Sequence, residues 1–167
     1  MVLVLFMASQ QGYTGIVKLL LEHNHTVDLC DMDGRSPLFM ASQQGHTDIV
    51  KLLLEMNSNV DLCDSNGFTP LIESCSNNNT SIIQLLLTHK PNIDAQIYDG
   101  GRRNNTGFYA CEVGHEDVVR LLLDKGAHTQ ICRFDGKSPL DSATDNGHTS
   151  IVCMVTEHMK KEDLLSY

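Results

Sequence analysis

The chain repeats itself every 33 residues, and that period constrains its fold more than any single motif does. ASQQGYTGIVKLLLE from Ala8 and ASQQGHTDIVKLLLE from Ala41 agree at thirteen of fifteen positions, 33 residues apart. SCSNNNTSIIQLLLT follows from Ser74, ACEVGHEDVVRLLLD from Ala110 after a step of 36, and ATDNGHTSIVCMVTE from Ala143 after another 33. The turn segments recur in register: DGRSPL from Asp33, NGFTPL from Asn66 and DGKSPL from Asp135. Such a chain divides into units 1–30, 31–63, 64–96, 97–132 and 133–167, the first without its opening turn.

Each unit reads as turn, helix, turn, helix. Asp33-Gly34, Asn66-Gly67 and Asp135-Gly136 are tight-turn dipeptides, because glycine accepts a positive φ without steric cost. Ser36-Pro37, Thr69-Pro70 and Ser138-Pro139 then predict a hydroxyl N-cap followed by a proline whose missing N–H costs nothing there. The short first helix is expected to end at Gly45, Gly114 or Gly147 in a left-handed cap. Thr14, Thr47, Thr80 and Thr149 are expected to cap the second helix, and Ile49, Leu52, Leu53 and Met56 to form its apolar stripe. Ala8, Ala41, Ser74, Ala110 and Ala143 keep one face of the first helix small enough for close stacking. A lone helix pair cannot bury such a stripe; neighbouring pairs supply the missing wall.

These residues resemble the ankyrin repeat: the S/T-P-L start, the Gly-His before the second helix at Gly45-His46, Gly114-His115 and Gly147-His148, the I/V-V-x-L-L-L run and the 33-residue step. The resemblance covers essentially the whole chain. It implies an all-α solenoid of about five stacked helix-turn-helix repeats, the first truncated, forming a single domain over residues 1–167. It also implies β-hairpin fingers projecting at right angles, with protein partners bound by the fingertips and the concave first-helix face. Phe39, Ile72, Phe108 and Asp141 stand where the family places a histidine, so that histidine's hydrogen bonds need another provider. Asp28, Asp61, Asp94 and Gln130 stand where some members carry a hydroxylatable asparagine, and that modification is not expected here.

The ends and the fourth unit depart from the pattern. MVLVLF occupies the place of the first turn and cap, which reads as an array cut at residue 1, or as an apolar strand folded back on the stack. The last unit replaces the leucine run with Met154, Val155 and Thr156 and continues into His158, Lys160, Lys161, Glu162 and Asp163, a polar terminal cap. The fourth unit inserts three residues in IYDGGRRNNTGF, a lengthened hairpin carrying Arg102 and Arg103; Thr106-Gly107 replaces Pro-Leu, so its first helix is expected to start less firmly.

Composition narrows the function. A net charge of −9 over 167 residues opposes binding to nucleic-acid phosphates, and no apolar run approaches the roughly 20 residues that span a bilayer. Five of the six cysteines share repeat columns, Cys30, Cys63 and Cys132 in one and Cys75 and Cys111 in another, and stacked helices lie about 8–10 Å apart, beyond the roughly 7 Å of a disulfide. They read as reduced thiols of a cytoplasmic or nuclear protein. The eight histidines share no metal-ligand spacing, and no nucleophile elbow, phosphate loop or zincin motif occurs. Asp141 and Asp145 lie one turn apart, but an open solenoid face offers no pocket to tune them as an acid–base pair. No cofactor, metal or small-molecule substrate is expected, and the chain reads as a monomer without catalytic residues.

The expected function is therefore non-catalytic protein recognition, with a regulatory segment of a channel, kinase or ubiquitin-pathway adaptor acting in cis as the alternative. The candidate contacts from the fingers are Met32, Asp33 and Arg35; Ser65, Asn66 and Phe68; Tyr98, Arg102 and Arg103; and Phe134, Asp135 and Lys137. The first helices add Gln43, Gln44, Asn77, Glu112, Val113, Asp145 and Asn146. Phe68, Tyr98, Arg103 and Phe134 lead, because aromatic and arginine side chains dominate interface energetics.

Overall fold

A computed structural model describes residues 2–23, 26–99 and 102–165, excluding the side chains at 2, 3, 98, 99, 102, 103, 163 and 165. The backbone packs as two compact units, one ending at Asn92 and the other beginning at Ile93. The first holds three helix pairs: α1 (Val2–Gln11) and α2 (Thr14–Glu22), α3 (Pro37–Gln44) and α4 (Thr47–Glu55), α5 (Pro70–Ser76) and α6 (Thr80–Thr88). First helices pack on first helices, α1 on α3 on α5, and second on second, α2 on α4 on α6. The second unit opens with a hairpin, β1 (Gln96–Asp99) and β2 (Arg102–Asn105). It continues through α7 (Thr106–Val113), α8 (Glu116–Asp124), α9 (Pro139–Asp145) and α10 (Thr149–Leu165).

The first helices start where their caps dictate. Ser36 and Thr69 hold extended φ/ψ and accept the N–H of Phe39 at 3.1 Å and of Ile72 at 3.3 Å. Ser138 forms a reciprocal capping box with Asp141, which takes the Ser138 N–H at 2.9 Å and its hydroxyl at 2.7 Å. The fourth unit corrects the expectation of a loose start: Asn105, unremarked in the sequence, accepts the Phe108 N–H at 2.7 Å. The strand alternative for the apolar start is corrected too, since residues 2–11 are helical and bury Leu5, Phe6 and Ala8.

The small column behaves as its size requires. Ala8, Ala41, Ser74, Ala110 and Ala143 are all buried, and each carbonyl accepts an N–H from the turn that follows. The threonines do not cap the second helices. They occupy the first helical position, and the Tyr13, His46 and Asn79 that precede three of them stand at the N-cap with no side-chain capping bond. The local turn explains this: Thr14, Thr47 and Thr80 donate their N–H to a carbonyl only two residues back, at 2.9–3.0 Å, so the entry is closed by backbone. The stripe on α4 also differs from the expected one. Ile49, Val50, Leu53 and Leu54 are buried, Leu52 is half-buried and Met56 is exposed. A second helix wedged between its own partner and its neighbours buries two adjacent positions per turn, and α6 repeats this with Ile82, Ile83, Leu86 and Leu87.

Side chains tie successive repeats together. His46 donates Nε2–H to the Gln10 carbonyl at 3.1 Å, and His148 donates to Glu112 at 3.3 Å. In the third repeat, where no histidine stands, Asn77 and Asn79 donate to Gln43 at 3.2 Å and Ser42 at 3.3 Å. On the opposite edge Asp28 accepts the Asn59 N–H, Asp61 the Asn92 N–H at 2.8 Å and Asp94 the His128 N–H at 3.0 Å. Three of the positions considered for hydroxylation are therefore acceptors for the next repeat.

Asp94 also takes His128 Nδ1–H, and this bond, then the nearby charges of Asp94 and Glu162, outweigh desolvation and raise the imidazole pKa above its ordinary value. A raised folded-state pKa gives stability that is fully present below the unfolded value near 6.5 and lost as pH rises through the folded one. His128 is mostly exposed, so the effect is small and screened by salt. An NMR titration should find the His128 midpoint above about 6.5, and Asp94→Asn should return it there. An unshifted midpoint in the unaltered protein would mean that the ion pair does not form.

Candidate recognition surface

The surface is built on the turns before α3, α5 and α9. In the first finger Gly34 donates to Asp31 O at 3.2 Å and Asp31 N–H to Arg35 O at 3.0 Å, closing a five-residue loop. The second finger repeats this with Gly67 to Asp64 at 3.0 Å and Asp64 to Phe68 at 2.9 Å. The last does so with Gly136 to Arg133 at 3.0 Å and Arg133 to Lys137 at 2.9 Å. The aspartate at the head of each of the first two fingers folds back on its own backbone. Asp31 accepts the N–H groups of Asp33 and Arg35, and Asp64 those of Asn66 and Phe68, all at 2.8–3.0 Å. The Ser65 N–H donates to Asp33 O at 2.8 Å, fixing one finger against the next.

Closure leaves the second turn residue pointing outward. That column reads Met32, Ser65 and Phe134; Met32 is fully exposed and Phe134 is 68% exposed. Asp33 and Asn66 beside them are also exposed. Arg35 is half-buried and ion-paired with Asp31 at 2.6 Å and Asp33 at 2.9 Å, so it stiffens its finger. Phe68 is half-buried and packs against Phe6, Phe39 and Met40. Its ring fastens the second finger to the stack.

In the fourth unit the lengthened hairpin forms a regular antiparallel ladder, pairing Ile97 with Asn104 and Tyr98 with Arg103. Ile97, Asn104 and Asn105 are buried at its base. The side chains of Tyr98, Arg102 and Arg103 lie outside the described residues. Among the described residues this is the only strand pair; the other fingers are closed turns where hairpin strands were implied.

From the first helices, Gln44, Asn77 and Val113 are exposed, and Glu112 is half-buried with its carbonyl bound to His148. Gln43 donates to Glu73 at 2.6 Å; desolvation raises the Glu73 pKa despite that bond. Asp145 and Asn146 are exposed, and Asp145 pairs with Lys137 at 2.6 Å, joining the last finger to α9. The two carboxylates one turn apart are thus separately engaged. The Ser138 N–H and then its hydroxyl hold Asp141 below the usual carboxylate range, while Asp145 binds Lys137.

Arg133 escaped the sequence reading. It sits beneath the Phe134 tip, with its guanidinium bonded to Asp135 and 5.2 Å above the Phe108 ring centroid. The signal was an arginine in the column where Asp31 and Asp64 stand. It replaces their backbone-binding carboxylate by a cation that recruits Asp135 instead. Elsewhere, burial pushes the Cys111 thiol up to about 12 and the Cys75 thiol higher still, which makes both poor nucleophiles. Among the described residues no cluster of three or more metal-ligating side chains occurs, and no helix is long and apolar enough to cross a membrane.

Repeated helix pairs, glycine-closed fingers and side-chain ties between neighbours define an all-α repeat protein of the helix-pair class. A family model described as ankyrin repeats (3 copies) matches residues 5–99 and again 94–164. The chain belongs to the ankyrin-repeat family. Its members are general protein–protein interaction modules, typically non-catalytic.

Proposed function

We propose that this chain captures a protein partner through its fingertips and the exposed ends of its first helices, without catalysis. The observation that carries the reading is the outward column Met32, Ser65 and Phe134. Backbone closure, caps and core repeat from unit to unit, while this column changes chemistry at each step and holds two large apolar side chains in water. A rigid frame with a variable, solvated tip lowers the ordering cost of binding. Met32, Asp33, Ser65 and Asn66 form the tip surface of the first unit, with Gln43, Gln44 and Asn77 behind them. Phe134, Asp135 and Lys137, with Glu112, Val113, Asp145 and Asn146, form that of the second. Tyr98, Arg102 and Arg103 add a basic finger suited to an acidic partner, since arginine binds carboxylates in bidentate fashion. Arg35 and Phe68 hold the first two fingers in place. A reducing compartment, cytoplasm or nucleus, suits the buried thiols of Cys75 and Cys111.

Replacing Met32, Arg103 and Phe134 together by alanine should abolish affinity capture while helical circular dichroism and melting temperature stay unchanged. An identical set of captured proteins would overturn the fingertip reading. Phe68→Ala should instead lower the melting temperature of the first unit.

A further inference from the structure

An open groove of about 380 Å³ runs between α2 and α4, near the C-terminal ends of both helices, a volume that takes a few side chains of a bound segment. Leu21, Leu52 and Met56 line its apolar part, and Lys18, Glu22 and Glu55 stand at its edges. Both walls belong to the described chain. α4 takes α2 on one flank and α6 on the other, so by the same stacking a helix pair ahead of α1 would meet the far flank of α2 and leave the groove open. Glu22 is the last residue of α2 and Glu55 the last of α4. A helix C-terminus carries partial negative charge and is stabilised by a cation, yet neither last turn holds a basic residue. Both glutamates are exposed, and among the described residues no ion pair reaches either of them. The next groove lacks this charge: Thr88 stands in the same column and donates its hydroxyl to the Leu85 carbonyl at 2.6 Å.

We propose that this groove binds an extended segment of a partner protein that carries a lysine or arginine beside aliphatic side chains. The cationic head lies between Glu22 and Glu55, where the two helix ends add their dipoles. Its methylene stem and aliphatic neighbour lie along Leu52 and Met56, as long cationic side chains lie on apolar surface elsewhere. Met56 suits that role, because its unbranched side chain adapts to different apolar shapes. Charge selects the occupant. An acidic segment would meet two carboxylates and two helix C-termini at once. A second copy of this chain would bring a net charge of −9 against the same face. Lys18, one turn nearer the start of α2, sets the direction: it repels the cationic head and favours a carbonyl or carboxylate at its end of the groove. The groove lies on the second helices, so this recognition goes beyond the fingertip reading and does not depend on it.

The test is isothermal titration calorimetry of the 167-residue chain with an end-capped hexapeptide of alternating leucine and arginine, taken to about 1 mM. Saturable binding is expected. Glu22→Gln with Glu55→Gln should weaken it about fivefold or more, the scale of two exposed ion pairs. Met56→Ala should weaken it about threefold or more through lost apolar contact, with the helical spectrum unchanged. Glu116→Gln with Asp117→Asn removes the same charge from exposed positions on α8 and should leave binding as it was. Control peptides with glutamate in place of arginine, or serine in place of leucine, should not saturate. The proposal is overturned if the leucine–arginine peptide does not saturate, or if either control peptide binds equally. It is overturned as well if binding ignores the Glu22 and Glu55 exchange or Met56→Ala, or if the α8 variant weakens it equally. Self-association of the chain that the Glu22 and Glu55 exchange abolishes would give the groove to a second copy and overturn it too. The fingertip variant at Met32, Arg103 and Phe134 should bind the peptide as the unaltered chain does, which separates a failure here from a failure of the fingertip reading.

Discussion

Leu53→Ala should destabilise the first unit by about 2–5 kcal/mol, the cost of a core cavity that helices can only partly collapse. For a unit of this size that corresponds to a melting temperature lower by roughly 10 °C or more. Leu53 is fully buried on α4, between Ile49 and Val50 on one turn and Leu54 beside it. The same substitution at Leu52, half-buried, should cost less, and Met56→Ala should change stability by no more than about 0.5 kcal/mol, as surface substitutions do. The three variants separate two geometries. If the stripe ran through Leu52, Leu53 and Met56 at helical spacing, all three would be costly. If α4 buries adjacent pairs, only Leu53 is. Stack cooperativity adds a second readout: because repeats contribute through nearest-neighbour interfaces, Leu53→Ala should also raise amide exchange in α2 and α6, its packing partners.

That contrast shows what this kind of sequence discloses. The period, the Ser36 and Thr69 caps, the left-handed Gly45 and Gly114, and the small column at Ala41 and Ser74 were legible because each is enforced within a few residues. A cap needs only its own turn, and a positive φ needs only a missing Cβ. The face of α4, the anchoring of Phe68 under the second finger and the acceptor role of Asp28, Asp61 and Asp94 are set by contacts some 30 residues away. Nothing local distinguishes a phenylalanine aimed at solvent, such as Phe134, from one folded back onto Phe39, such as Phe68. Asn105 is intermediate: an asparagine three residues before Phe108 is a readable cap, but it lacks the following proline that marks the starts at Ser36, Thr69 and Ser138.

Gly114→Ala should be more damaging than its backbone conformation alone predicts. Gly114 ends α7 at φ +86°, where an L side chain costs about 1–2 kcal/mol. Gly147 has a similar φ of +74°, and a methyl group there would meet nothing within 4 Å. At Gly114 the added Cβ would lie 2.5 Å from Cε1 of His148, so the ring would have to move and release the Glu112 carbonyl. That adds a lost hydrogen bond of about 0.5–1.5 kcal/mol and an off-rotamer imidazole of similar cost. Gly147→Ala measures the backbone part, and the difference between the two variants measures the histidine contact. In a His148→Ala background that difference should vanish. If Gly114→Ala stays the costlier variant without the ring, the penalty belongs to the turn itself. If it vanishes, the glycine is required at this corner so that the next repeat's imidazole can lie flat on the chain and reach the carbonyl beneath. A Cβ added at Gly12 would likewise lie 2.6 Å from Cε1 of His46 in the first unit, so the same cycle run there should give the same answer.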